Sequence, residues 1–418
     1  MTFRLIHTSD WHLGQHFFGK SRLSEHSAFL AWLLEQVQKH QVDAIVIAGD
    51  LFDIGSPPSY ARELYNRFVV DVHQAGCQLI VLGGNHDSVA TLNESRELLA
   101  QLNAQVISGV REVLDEQVLV LRNRQGEPGA IVCAVPFIRP RDVLLSQAGQ
   151  SGSEKQQALQ QAIANHYEEL YQQAQRVREQ IGKALPIIAT GHLTTVGAST
   201  SESVRDIYIG TLDAFPANAF PPVDYIALGH IHKPQKVGGT EHIRYSGSPI
   251  PLSFDEVGLT KSVWLAEFEN GRLDNVEALE IPRFQPMQVI RGNLEDIEQA
   301  LAEIKEHYQG ELPIWLDIEV STQDYLNDLQ RRIQELTSGL PVEVLLLRRE
   351  RRARVAALEQ VAGETLAELT VEEVFERRLS QESWESDEDQ ARLERLRQAF
   401  RQVVVQVSAP EEGQEAQP

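Results

Sequence analysis

One unit recurs five times in the first 232 residues of this chain: a short apolar run that ends abruptly in Gly, Asp, Asn or His. The runs are Phe3–Thr8, Ala44–Ala48, Leu79–Leu82, Pro186–Thr190 and Tyr225–Leu228. The clusters that follow them are Asp10-Trp-His12, Gly49-Asp50, Gly84-Asn85-His86-Asp87, Gly191-His192 and Gly229-His230-Ile-His232. Short continuous runs of Ile, Val, Leu and Ala bounded by such residues read as buried strands. Between the first two, Ser27–Lys39 carries Phe29, Leu30, Leu33, Leu34 and Val37 at helical spacing. The pattern is α/β, with sheets covered by helices. In open α/β sheets, ligands gather outside the carboxyl ends of strands, so all five clusters are expected along one edge.

The residue types in these clusters suit divalent metal ions. Carboxylate, imidazole and amide donors together favour manganese, iron or zinc. In an extended segment residues i and i+2 point the same way, so Asp10 and His12 can grip one ion. His230 and His232 can do likewise, or divide between two adjacent ions. The glycine before Asp50, Asn85, His192 and His230 lets the chain turn sharply and approach the ions. Asp50 directly follows a buried strand, where an unpaired carboxylate is costly; a bridging position between two cations would offset that cost. Singly, each dipeptide is an ordinary turn, and a lone histidine after a strand is usually structural or at the surface. The ordered set is what points to a metal centre. His7, His16, His26, His40, His73, His166, His242 and His307 lie outside the pattern and read as structural or surface residues.

At 418 residues the chain is long enough for two or three domains of roughly 100–200 residues each. Ser153–Lys183 predicts a long packing helix, with Leu159, Ile163, Tyr167, Leu170, Ala174, Val177 and Ile181 on one face. After Pro282, strands at Pro286–Arg291, Leu312–Val320 and Val342–Leu347 alternate with helices at Leu294–Tyr308 and Tyr325–Leu336. That makes a small α+β domain over 283–350, following a first domain over 1–282. Residues 351–408 read as a linker and C-terminal helices. Thr370-Val-Glu-Glu373 fits a capping box before Val374, Phe375 and Leu379. A last helix from about Asp387 aligns Leu393, Leu396, Phe400, Val403 and Val404 in a stripe that few nearby elements can cover. Docking on a partner protein would bury it; packing on the small domain is the other reading. Residues 409–418 have the composition of a disordered tail.

Lys and Arg number 38 against 60 Asp and Glu, a net charge of −22. That balance argues against broad nucleic-acid binding by this chain alone. Bound divalent ions and a basic partner subunit would offset it locally. Lys20 and Arg22, just past the first cluster, are the candidates for contacting a phosphate backbone; their other reading is solvated surface. Cys77 and Cys133 lie in apolar surroundings without CxxC spacing and read as core thiols of a reducing cytoplasm. The first residues show no basic stretch followed by a long apolar run, so neither a signal peptide nor a membrane span is expected.

Together the five clusters resemble those of the calcineurin-like metallophosphoesterases, over roughly residues 1–260. The resemblance implies a β-sandwich flanked by helices. It implies Asp10, His12 and His232 at a first metal, Asn85, His192 and His230 at a second, and Asp50 bridging the two. His86 corresponds to the non-ligand histidine that faces the scissile phosphate and protonates the leaving oxygen. Two ions about 3.5–4 Å apart would hold a shared water and generate hydroxide near neutral pH. Asp87 is expected to orient His86 or a local turn; Asp53, three residues past the bridge, reads either as support behind the ligands or as a turn residue, and is assigned no role.

Longer stretches narrow the resemblance. Ile6-His-Thr-Ser-Asp-Trp-His-Leu-Gly14, Gly49-Asp-Leu-Phe-Asp53, Ser56-Pro-Pro-Ser59, Gly229-His-Ile-His-Lys-Pro-Gln235 and Tyr245-Ser-Gly-Ser-Pro249 are similar to those of the bacterial SbcD-type nuclease subunits. That family implies a manganese-dependent DNA nuclease of repair, recombination and replication. It would act as an exonuclease on double-stranded ends and an endonuclease on single strands and hairpins. It also implies a capping role for the small α+β domain, and a complex with an SbcC-type SMC-like coiled-coil ATPase. A homodimer would sit at the centre of that heterotetramer. The metal core alone equally suits a small-molecule or phosphoprotein phosphoesterase, and a fold retained only as a scaffold is a third reading.

Overall fold

A computed structural model describes residues 2–144, 151–204, 214–321, 329–349 and 400. The chain divides into two compact units, Met1–Arg348 and Arg349–Pro418. Of the expected partner-binding stripe only Phe400 is described, as a half-buried helical residue. Leu393, Leu396, Val403 and Val404 lie outside the described residues, as do the capping box at Thr370 and the tail.

Two six-stranded sheets form the body of the first unit. One runs in the order Arg272–Glu280, Ser262–Glu269, Phe3–Thr8, Ala44–Ile47, Gln78–Leu82, Ala104–Ile107. The other runs Gln235–Lys236, Ile243–Tyr245, Tyr225–Gly229, Ile187–His192, Pro128–Cys133, Val118–Arg122. All five expected strands are present, and each pairs in parallel with a neighbour. Parallel strands are buried on both faces, which is why their sequences are continuous apolar runs without polar alternation.

Successive side chains on these strands face opposite ways. Leu5, Val46, Ile80 and Leu82 of the first sheet meet Val132, Ile188 and Tyr225 of the second in a shared core. Ala44, Ala48, Ala130, Ala227 and Ala266 sit among them, and their small volume lets the sheets approach. On the outer face of the first sheet, Ile6, Ile45, Ile47 and Val81 pack under the helices Leu23–Lys39 and Ser59–Gln74. The long helix spans Gly152–Ile181. Its start is fixed by reciprocal hydrogen bonds between Ser151 and Glu154, and its end by Gly182 at φ 69°. It buries Leu159, Ile163, Tyr167, Leu170 and Ala174 against the second sheet. The result is the expected sandwich, helices outside and two sheets within.

The region beyond Pro282 has its own sheet, Met287–Gly292, Ile314–Val320 and Val342–Arg349, with the first two strands parallel. Helices Leu294–His307 and Leu329–Thr337 close a core of Ile290, Ile297, Leu301, Ile304, Leu316, Ile318 and Ile333. It belongs to the same compact unit as the sandwich. A separate apolar cluster of Phe17, Phe254, Met287 and Trp315 joins the small sheet to the hairpin His16–Ser21.

Arg22 corrects one expectation. It is fully buried, not a surface cation. Its Nε and Nη2 donate to the Glu25 carboxylate at 2.7 and 2.6 Å, and Nη1 donates to Gln15 Oε1 at 3.1 Å and to the Pro251 carbonyl. Its guanidinium also lies 5.0 Å from the Phe17 ring centre. With its donors committed inside the protein, Arg22 is not available to a DNA phosphate. Lys20 stays partly exposed, paired with Glu343 at 2.7 Å. Replacing Arg22 by Ala would strand the buried Glu25 carboxylate. Arg22→Ala should lower stability by about 3–5 kcal/mol in denaturant unfolding; a loss below about 1 kcal/mol would contradict this anchoring role.

Candidate metal centre

The backbone that carries the donors is held in an unusual conformation. Among the described residues, eight non-glycine positions have positive φ, and four of them are Asp10, His12, Asp50 and His230. Such conformations cost about 1–3 kcal/mol each and persist where the surroundings enforce them. Here the enforcement is visible. The loop after the first strand hydrogen-bonds along the loop after the second: Asp10 N to Gly49 O at 3.0 Å, His12 N to Asp50 O at 3.1 Å and Leu13 N to Leu51 O at 2.9 Å. Asp87 ties in the third loop, its carboxylate accepting from the backbone of Gly84, Leu51 and Phe52 at 2.9–3.1 Å. Of its two expected roles, Asp87 performs the local turn. Burial and the nearby Asp50 push its carboxyl up to about 6.

Two glycines are required by close approach. A Cβ on Gly84 would lie 2.1 Å from Asp50 Oδ1, and one on Gly49 would lie 2.2 Å from His192 Nδ1. Side chains at either position would displace a donor.

Asp50 sits at the middle of the cluster. Its Oδ1 accepts the backbone N–H of His86 at 2.9 Å. Its Oδ2 lies 3.7 Å from His12 Nε2 and 3.3 Å from His192 Nε2. Burial alone would raise this carboxyl; the imidazoles of His192, His12 and His86 outweigh it and hold it well below the usual range. Burial likewise opposes charge on His192, but Asp50 outweighs it and raises that imidazole to about 9. His230 is driven well below its ordinary value by burial and by His192.

The rings are oriented from behind. His192 Nδ1 donates to the Ala48 carbonyl at 2.9 Å, which turns Nε2 toward Asp50 and toward Asn85 Oδ1, 2.9 Å away. His230 Nδ1 lies 3.2 Å from the same Asn85 oxygen. His12 Nδ1 meets the Asp53 carboxylate at 3.1 Å. His232 Nδ1 meets Ser203 Oγ at 2.6 Å. His12 Nε2 and His230 Nε2 are buried without a hydrogen-bond partner. Unsatisfied buried nitrogens are costly, and a divalent ion would accept both lone pairs.

The donors form overlapping groups whose ligand atoms lie within 4.8 Å of one another: Asp10, His12 and His232; Asp10, Asp50 and His192; and His12, Asp50 and His86. Asp10, His12 and Asp50 are each shared by two of the groups. The donor set therefore fits two adjacent ions. Asn85 reaches the second of these groups through His192. His86 is near enough to join the cluster but is more exposed than Asp10, His12, Asp50, His192, His230 or His232, each almost wholly buried. Its Nδ1 donates to the Asp53 carbonyl at 2.8 Å, and its ring meets that of His12 edge-on at 4.7 Å.

Several functional residues carry no legible sequence signal. Asp53 holds both His12, through its carboxylate, and His86, through its carbonyl. Glu256 and Lys261 form a buried ion pair at 2.6 Å, and Lys261 also donates to the His232 carbonyl at 2.9 Å and to Ser248 Oγ at 2.8 Å. Ser203 links Glu256 to His232. Ser9 bridges Asp10 and Ser246, which places the Tyr245–Pro249 stretch behind Asp10.

Residues 3–234 match the calcineurin-like phosphoesterase family, and residues 283–383 match the family described as the type 5 capsule protein repressor C-terminal domain. The SbcD subunit of the SbcCD nuclease from Escherichia coli strain K12 is 58% identical, covering 94% of this chain and 96% of that protein. Its counterpart from Rhodobacter capsulatus is 35% identical over 68% of this chain and 70% of its own length. That of Bacillus subtilis is 27% identical over 78% and 80%. The chain belongs to the calcineurin-like phosphoesterases and, within them, to the family of SbcD subunits of SbcCD nucleases.

The His12–Asp53 hydrogen bond has a direct consequence. Groups that orient a metal-binding histidine commonly contribute 10–100-fold to metal affinity. Asp53→Ala should weaken divalent-ion binding by about that factor in titration calorimetry; unchanged affinity would show that His12 needs no such support.

Proposed function

We propose that this chain is the nuclease subunit of an SbcCD-type complex, a manganese-dependent phosphodiesterase that hydrolyses DNA. The observation that carries this reading is the set of overlapping donor groups linked through Asp10, His12 and Asp50, with imidazoles held from behind and turned inward. Asp10, His12 and His232 would hold one ion, and Asn85, His192 and His230 the other, with Asp50 shared. Carboxylate, imidazole and amide donors suit manganese. When bound, the two ions supply a water of lowered pKa and draw charge from the phosphoryl oxygens.

The chain's own residues do the rest. His86 has Nδ1 committed to the Asp53 carbonyl, so Nε2 is the nitrogen that can face substrate. As imidazolium it donates to the departing sugar oxygen, or stabilises the charge that develops there. Its partial exposure sets it at the mouth of the buried cluster, where a phosphodiester would enter. The relatives are named nucleases, which favours a nucleic acid as the substrate, and this reading takes it to be DNA. An acidic chain would borrow much of its DNA grip from an SMC-like ATPase partner of the SbcC type. Lys20 remains its own candidate for backbone contact. The stripe of Leu393, Leu396, Phe400 and Val403 would dock on that partner, with two copies of this chain at the centre of the assembly. No helix among the described residues is long and apolar enough to cross a membrane, which accords with a cytoplasmic setting.

With manganese, the purified chain should cleave hairpin and single-stranded DNA. His86→Ala should lower kcat by about 10²–10⁴-fold while two ions remain bound. If that variant instead loses an ion, His86 is a ligand, and if it keeps full turnover, His86 has no part in the chemistry. A nucleotide or phosphoprotein turned over much faster than DNA would favour a small-molecule or protein phosphatase.

Removing the residues after Glu364 should abolish binding to the ATPase and leave manganese-dependent cleavage by the chain itself largely intact. Loss of the metal centre on truncation would mean that those residues belong to the core.

A further inference from the structure

Shortly past His12 the chain makes a tight hairpin, His16–Phe17 paired with Lys20–Ser21. Its two turn residues, Phe18 and Gly19, have φ of 47° and 82°. Two-residue turns with positive φ at both central positions favour Asn-Gly, Asp-Gly or Gly-Gly. A bulky Phe at the first of them is an outlier. Phe18 is also 51% exposed, and it is the one aromatic among the exposed large apolar side chains of the described residues. Neither its conformation nor its burial accounts for a phenyl ring at this tip.

The ring stands on a firm base. It meets Phe17 edge-on at 5.0 Å and lies tilted against Phe254 at 5.6 Å. Phe17 in turn stacks on Trp315 at 5.8 Å, with 9° between the planes, under the buried Arg22 guanidinium. Phe17 is 3% exposed and, with Phe254, seals this contact with the small sheet. The hairpin is tied to the metal centre on two sides. At its root, Gln15 N donates to the His12 carbonyl at 3.0 Å. At its tip, Phe254 begins the short turn Phe254–Glu256, whose Glu256 is held to His232 through Ser203. His12 and His232 rings are 5.3 Å apart. Two residues on from Phe18, the partly exposed Lys20 ammonium pairs with Glu343 at 2.7 Å.

A flat, half-exposed apolar ring on a firm base is the kind of platform on which single-stranded nucleic acid stacks its bases. We propose that Phe18 is a stacking platform for a nucleobase next to the scissile phosphate, on the His12–His232 side of the centre. Within an intact duplex each base face is already covered by its neighbours. Phe18 therefore selects strand ends, single strands and hairpin loops, where a base face is open. This rests on the nuclease reading above.

The test is steady-state cleavage of a single-stranded oligonucleotide by the manganese-loaded chain, with natural or abasic residues flanking the cut. Phe18→Ala should raise KM about tenfold on natural DNA, and less than twofold on abasic DNA. Phe18→Trp should retain the wild-type KM, and Phe18→Leu should not. Phe18→Asn suits the turn better, so its thermal midpoint should hold or rise while its KM worsens. A Phe18→Ala variant within twofold of wild type on natural DNA overturns the proposal. So does an equal loss on abasic DNA, which would mean a contact other than stacking, such as a protein surface. If wild-type protein with two ions bound cuts neither DNA, the nuclease reading itself fails, and the stacking role fails with it.

Discussion

The structure turns on a buried carboxylate. Asp50 lies at the end of a central strand, almost wholly out of water, with its backbone in a left-handed conformation. Burial of a lone charge there would be prohibitive. It is met by imidazoles on both sides, His12 at 3.7 Å and His192 at 3.3 Å, and by the His86 backbone N–H. That neighbourhood raises the His192 imidazole above its ordinary value, the Asp50 carboxylate outweighing burial. Metal binding must displace imidazolium protons, so ion affinity and protonation are linked at this position. Asp50 is thus the counter-charge that lets the histidines sit in a dry site, and it belongs to two of the three overlapping donor groups; the proposed bridge between two ions would use the same carboxylate.

The surrounding fold serves that joint. Two sheets with alanine-lined inner faces bring the ends of strands from both sheets to a common edge. From the first sheet come the loops bearing Asp10, His12, Asp50, Asn85 and His86, and from the second those bearing His192, His230 and His232. The centre is thus a contact between sheets, and a displacement of one against the other would pull apart the donors within each group. The hairpin after His12 carries the same connection outward, through Phe17 to Trp315 of the small domain.

The sequence makes the parallel strands legible because burial on both faces leaves uninterrupted apolar runs. The hairpin Ser262–Glu269 and Arg272–Glu280, at the rim of the first sheet, mixes charged and apolar residues and does not stand out. The helix Ser59–Gln74 follows a Pro-Pro turn and carries polar residues on its outer face, which hides its apolar stripe. Within the site, the donors are legible as a set because several rare residue types recur at strand ends. Asp53, Glu256 and Lys261 are not, since each is a lone charge whose partner lies far along the chain. Arg22 misleads for the same reason. A charged residue in a turn reads as solvated surface, and only the tertiary structure brings the Pro251 carbonyl onto its guanidinium.

The most direct measurement of the central claim is manganese titration followed by electron paramagnetic resonance. Two ions joined through Asp50 should bind at two per chain and give an exchange-coupled spectrum, and Asp50→Asn should abolish the coupling. A stoichiometry of one ion, or two ions with uncoupled spectra, would contradict the shared centre.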